Sequence, residues 1–204
     1  MDLLKKMFGH SKDKIWEQLQ SEWHAHVIQK TSAGRDQIVA KVDEWTVTLD
    51  MHALPTQYDT VPYLRMRAPY INKDGFRFTI YDGGIFDSIG KLFGLQDIVV
   101  GYPEMDARYI IQGNNEEKVK QLCSNPALRQ LIQLQTTIFF QVKSDEGYFH
   151  YQFPDGVDEL NFLGEDVEGD AERLKALFEL FSVTLHQLCH IGSAYESDPH
   201  ITLD

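Results

Sequence analysis

Residues 37–50 read QIVAKVDEWTVTLD, with an apolar residue at every second position on either side of Asp43 and Glu44. A two-residue turn at that pair sets Val42 opposite Trp45, Ala40 opposite Val47 and Ile38 opposite Leu49. The register gathers six apolar side chains on one face and leaves Lys41, Thr46, Thr48 and Asp50 on the other, as a hairpin with one buried face requires. The turn lacks the Gly that favoured two-residue turns carry, so a longer loop stays open as the alternative.

The same device recurs at 137–153, TIFFQVKSDEGYFHYQF. A turn at Asp145 and Glu146 pairs Val142 with Phe149, Phe140 with Tyr151 and Ile138 with Phe153. A third pairing is readable at 63–81, YLRMRAPYINKDGFRFTIY, where residues 63–69 return as 75–81 through a three-residue loop. Further strands are expected at QDIVVG, at RYIIQG and around Leu160–Leu163.

Helices fill the intervals. Ser11 caps a segment in which Ile15, Trp16, Leu19 and Trp23 recur at helical spacing, before the TSAG turn signal at 31–34. Asn114 ahead of EEKVKQLC, and Asn125 with Pro126 ahead of ALRQLIQL, start two short helices. GGIFDSIGKLFG reads as another short helix. Asp170 caps the longest one, whose Leu174, Leu177, Phe178, Phe181, Leu185 and Leu188 make one apolar stripe ending at Gly192. Hairpins interleaved with helices give an α+β class: antiparallel sheet with helices packed on one face and a long C-terminal helix. The echo of KVDEW in KSDEG leaves open two similar halves, 11–94 and 95–192, within a single compact domain of residues 1–204. Residues 193–204 read as a peripheral tail.

A chain of 204 residues buries about 70% of its unfolded surface, enough for a core without a metal or disulfide. Lys plus Arg number 19 against 31 Asp plus Glu, a net charge of -12, and such a field disfavours nucleic acid and anionic membranes as partners. Cys123 and Cys189 are the two cysteines; without CxxC spacing they fit a reducing compartment. MDLLKKMFGHSK carries no long apolar run or cleavage site and is not expected to be a secretory signal. No stretch of about 18 apolar residues is present, so no membrane span is expected.

In this acidic chain the third pairing would place Tyr63, Arg65, Arg67, Arg77, Thr79 and Tyr81 on one face. Guanidinium groups so close together repel unless carboxylates or a bound anion sit among them. Internal ion pairing, an anion site walled by the tyrosines, and a partner interface are the three readings. HQLCH places His186 and His190 one helical turn apart, the spacing of a metal-binding pair, but on the face opposite the apolar stripe and without an HExxH pattern. His24 and His26 share a face only in an extended chain. Asp155, Asp158, Glu159, Glu165, Asp166 and Glu168 read as a solvated acidic connection, since their spacing does not fit a calcium loop. No P-loop, GxSxG or dinucleotide fingerprint occurs.

The segments DEWTVTLD, RMRAPY, DGFRFTIY, LQDIVVG, ARYIIQGNNEEK and GVDELNF together resemble a family of uncharacterised bacterial proteins of this length, from about Trp16 to Ala194. The resemblance implies a cytoplasmic bacterial protein and brings no activity, cofactor or catalytic residue. Glu44 in the first turn, Cys123 and His150 depart from that pattern. The expectation is a non-catalytic binding or interaction domain, without cofactor or metal, using Tyr63, Arg65, Arg67, Arg77 and Tyr81 toward a small anion or an unknown protein partner. The competing expectation is a small-molecule carrier or enzyme with a pocket between sheet and C-terminal helix, and a homodimer through leftover sheet edges or apolar helix surface is a third.

Overall fold

The computed structural model describes residues 12–28, 37–55, 60–83, 96–144, 153–164 and 170–203. In chain order these form α1 (Lys12–Trp23), β1 (His26–Ile28), β2 (Gln37–Val42), β3 (Trp45–Pro55), β4 (Thr60–Ile71), β5 (Phe78–Asp82) and β6 (Gln96–Asp97). There follow α2 (Pro103–Asp106), β7 (Tyr109–Gly113), α3 (Glu116–Cys123), α4 (Pro126–Gln133), β8 (Phe139–Lys143), β9 (Val157–Gly164) and α5 (Ala171–His190). The fold is α+β. Its strands make one antiparallel sheet ordered β1-β2-β3-β4-β9-β8-β5-β7-β6. Among the described residues both edge strands are very short, three residues in β1 and two in β6.

The β2–β3 hairpin has the expected register: Val42 faces Trp45, Ala40 faces Val47 and Ile38 faces Leu49. Asp43 takes the place of the missing Gly by adopting φ 50, a left-handed conformation that Asp tolerates better than most residues. The other two pairings are corrected. Strand β4 is flanked by β3 and β9, and β5 by β7 and β8, so 63–69 and 75–81 are not neighbours. Local chemistry turns the chain away after β4. Asn72 Oδ1 accepts from the backbone N–H of Asp74 and Gly75, Asp74 Oδ1 accepts from that of Phe76, and Gly75 has φ 71. Phe140 lies between Ile80 and Phe162, which excludes Tyr151 as its partner. The expected turn at Asp145 and Glu146 falls outside the described residues, as do Ser11, the TSAG turn and the expected helix in GGIFDSIGKLFG.

Two helix starts match expectation. Asn125 caps α4 with Pro126 in the first turn, and Asp170 accepts from Arg173 N–H at the start of α5. At α3 the cap is Asn115, while Asn114 holds Arg77 N–H and Gly75 C=O. The α5 stripe is buried from Leu174 to Leu188, and the helix closes on Gly192 at φ 75. Gly192 N–H bonds Cys189 C=O at 3.0 Å and Ser193 N–H bonds Leu188 C=O at 2.8 Å, the paired pattern that satisfies helix-end carbonyls. Under the helices lies one apolar cluster that draws on every described helix and on β2–β5 and β7–β9. At its centre Phe140 meets Phe78, Phe162 and Phe181 with ring centroids 5.6, 6.5 and 5.8 Å away. Each such buried ring contributes about 1.5–3 kcal/mol. Strands from both sides of residue 94 interleave in the sheet, so that position marks no boundary within it.

The tail is not peripheral, contrary to expectation. Ala194 bridges to Asn72, Lys73 N–H bonds Ser193 C=O, Asp198 takes Lys41 and Thr46, and Leu203 C=O accepts from Gln37 Nε2. Residues 193–203 thus reach from the end of β4 to β2 and close that end of the second face of the sheet. Antiparallel sheets commonly leave one face wet. Here every residue from Tyr63 to Tyr70, and from Asp158 to Gly164, is buried.

Candidate functional site: the charged face of the sheet

Odd positions of β4 and β9 point away from the helices, and the registers extend this second face across the sheet. At one level Thr48 faces Arg67, then Asn161, Gln141, Thr79 and Gln112, ending at Asp97. The row is polar throughout. One level along, Asp50 faces Arg65, then Leu163, Phe139 and Tyr81; the last three join Tyr63 in a second, smaller apolar cluster that includes no helix residue. On the other side of the polar row, Glu159 faces Lys143. Strand alternation alone therefore builds a charged band beside an aromatic patch.

Two arginines share one carboxylate. Arg65 donates to Asp50 through Nε at 2.7 Å and a terminal nitrogen at 2.5 Å, and Arg67 reaches the same carboxylate at 3.4 Å. Burial alone would raise the Asp50 pKa. The Arg65 hydrogen bond, with the charges of Arg65, Arg67 and His52, outweighs it and holds the carboxyl below its usual range. Tyr63, Arg65, Arg67 and Tyr81 each make further interactions. Beside them Glu159 Oε1 accepts from Asn161 at 2.9 Å and pairs with Lys143 at 3.2 Å, while Oε2 is buried with no hydrogen-bond partner. Gln112 donates to Asp97 at 2.7 Å and keeps a buried, unpartnered Oε1. Such acceptors cost about 1–3 kcal/mol when they meet no donor.

Comparison of the chain with protein-family models, curated proteins and solved structures found no match.

Of the residues singled out in the sequence, Tyr63, Arg65, Arg67 and Tyr81 occupy this face. Tyr81 stands three strands from the arginines, about 14 Å at the ordinary strand spacing. Arg77 is not with them. It precedes β5, is half-exposed, and its Nε lies 3.9 Å from Asp158 Oδ2, at the end of the opposite face where Asp158 pairs with Tyr70. Asp158 and Glu159, expected in a solvated connection, are instead buried in β9. Burial lifts the Asp158 pKa despite the Asn72 hydrogen bond and the charge of Arg77.

His186 and His190 are exposed on α5, as the helical projection requires. His186 Nδ1 lies 2.9 Å from Ser182 C=O, and the ring meets Trp45 edge-on at 5.2 Å. Its charged neighbours are Asp43 at 3.7 Å and Glu196 at 3.5 Å. His24 and His26 are also exposed. Among the described residues no group of three or more His, Cys, Asp or Glu has metal-binding geometry. No described helix is long and apolar enough to cross a membrane.

Asp50, Lys143, Glu159, Asn161 and the amide row were missed as site residues. Asp50 had already been placed on the polar side of the first hairpin, and the alternation of 157–163 puts Glu159 and Asn161 together. What the sequence lacked was the strand order that brings them to Arg65 and Arg67.

Proposed function

We propose that the protein is a non-catalytic binding domain whose site is the buried charged face of the sheet, taking a small anion. The observation that carries this reading is burial of ionisable groups without need. Arg67 and Glu159 are 0% exposed, Asp50 2% and Arg65 7%, on the side of the sheet away from an already complete apolar core. Replacing a buried ion pair by well-packed apolar residues of similar volume is often neutral or stabilising, so a full core does not by itself call for these groups. Guanidinium forks match carboxylate and phosphate oxygens, and Tyr63, two residues from Arg65 on the same face of β4, adds a hydrogen-bonding wall. The competing carrier or enzyme pocket between sheet and α5 is disfavoured by packing: Phe140, Phe162, Leu177, Phe181 and Leu185 fill that space.

The resemblance carried by DEWTVTLD and ARYIIQGNNEEK supports placing the protein in the bacterial cytoplasm. The free, buried Cys123, its thiol pushed up to about 12 by burial, fits a reducing compartment.

The test is thermal unfolding with phosphate, sulfate and a dicarboxylate. An anion at one hundred times its Kd adds about 2.7 kcal/mol, a rise of about 5–10 °C for a chain this long. Arg67→Lys keeps the charge but removes the fork, and is expected to lose most of that rise. An equal rise in the variant, or no rise in the wild type with any of the three anions, would sink the assignment.

A further inference from the structure

A second feature lies away from the charged face, where α1, the β2–β3 turn and α5 meet. A pocket of about 480 Å³ opens there, within the size range of ligand sites. Its floor is aromatic: Trp23 stacks on Phe178 with centroids 4.4 Å apart and an interplanar angle of 17°. Phe178 is fully buried while Trp23 is only partly buried, so the indole is the ring a ligand meets. Both lips are backbone turns of unusual hand, His24 and Asp43, each at φ 50.

The rim is acidic. Glu22, Asp43 and Glu179 line it with Lys41 and Lys175. Lys41 is already matched by Asp198 at 2.8 Å, which leaves three carboxylates against Lys175, with His24 in the lining and His186 3.7 Å from Asp43. Ser182 donates to Asp43 Oδ2 at 2.5 Å and fixes that carboxylate on the lip. An aromatic floor under surplus carboxylates is the chemistry that receives a guanidinium or ammonium group. The net charge of -12 adds a long-range pull on cations in the same direction. Three other pockets among the described residues have no Phe, Tyr or Trp in their linings.

We propose that this pocket docks a basic side chain, arginine before lysine, presented by a protein partner. The partner's guanidinium stacks over Trp23 and pairs with Glu22 and Glu179, so the docking segment is basic and the contact weakens with salt.

The test uses the full chain and a capped hexapeptide alternating arginine and glycine, followed by tryptophan fluorescence at low ionic strength. Trp23→Phe identifies the responding indole. The wild type is expected to bind, and the double substitution Glu22→Gln with Glu179→Gln, at two exposed positions, is expected to weaken binding about tenfold. The same peptide with citrulline in place of arginine is expected not to bind. Equal affinity in the double variant, equal affinity for the citrulline peptide, or no binding by the wild type overturns the proposal. Free arginine amide binding as tightly as the peptide would assign the pocket to a small organic cation and overturn the protein partner.

Discussion

Replacing Asp50 by Asn keeps the side-chain shape and removes the charge that Arg65 and Arg67 share. Asp50 receives two short hydrogen bonds from Arg65 and lies 3.4 Å from an Arg67 nitrogen, at 2% exposure. Charge-assisted bonds are the strong class, and removing one member of a buried pair typically costs about 3–5 kcal/mol. At a urea slope of about 2 kcal/mol/M the midpoint is expected to fall by about 1.5–2.5 M at pH 7. The pH dependence fixes the sign. The folded-state pKa of Asp50 is depressed, so its contribution is present above the unfolded value of 3.8 and is lost as pH falls through the folded value. The gap between wild type and variant is therefore expected to narrow in acid. Urea unfolding of both proteins at pH 7 and in steps below pH 4 reads out the two effects. A midpoint within about 0.3 M of wild type at pH 7, or a gap that widens in acid, would refute the reasoning.

Asp158 is expected to behave oppositely. Its raised pKa means the charged form opposes folding, so Asp158→Asn should gain stability relative to wild type as pH rises above 3.8, measured by the same titration. Gly164→Ala is expected to cost about 1–3 kcal/mol by chemical unfolding, because a Cβ there would stand 2.7 Å from Thr137 C=O and 2.5 Å from the Phe162 ring. Asn72→Ala removes the acceptor for Asp74 and Gly75 N–H and the donor to Phe76 C=O and Asp158. It is expected to cost about 1–3 kcal/mol and to speed hydrogen exchange at Lys73 and Tyr195, which hold the tail. Unchanged exchange there would separate the tail from Asn72.

The first hairpin was legible to the residue because one buried face and a two-residue loop leave a single register. The α5 stripe was legible because six large apolar residues at helical spacing have one way to face a core. The other two pairings failed for one reason: adjacency in sequence was taken for adjacency in the sheet. Alternation specifies which face a side chain takes, and it did so correctly for Tyr63, Arg65, Arg67 and Tyr81. It carries no information on which strand lies next door. β4 finds longer ladders with β3 and β9 than the loop at 72–75 would have allowed, and the Asn72 turn then satisfies the backbone that leaves the sheet. Arg77 was misplaced because the chain there is not yet strand. Glu159 was misread because an acidic residue beside Asp155 and Asp158 looks solvated until Lys143 is brought opposite.

The central claim is that the charged face holds an anion. A native mass spectrum of the purified protein beside its denatured mass tests it most directly. A species heavier than the 23.5 kDa chain is expected, its extra mass lost on denaturation and absent from Arg67→Lys. A bare chain in both spectra, with no mass gained on adding phosphate, sulfate or a dicarboxylate, would contradict it.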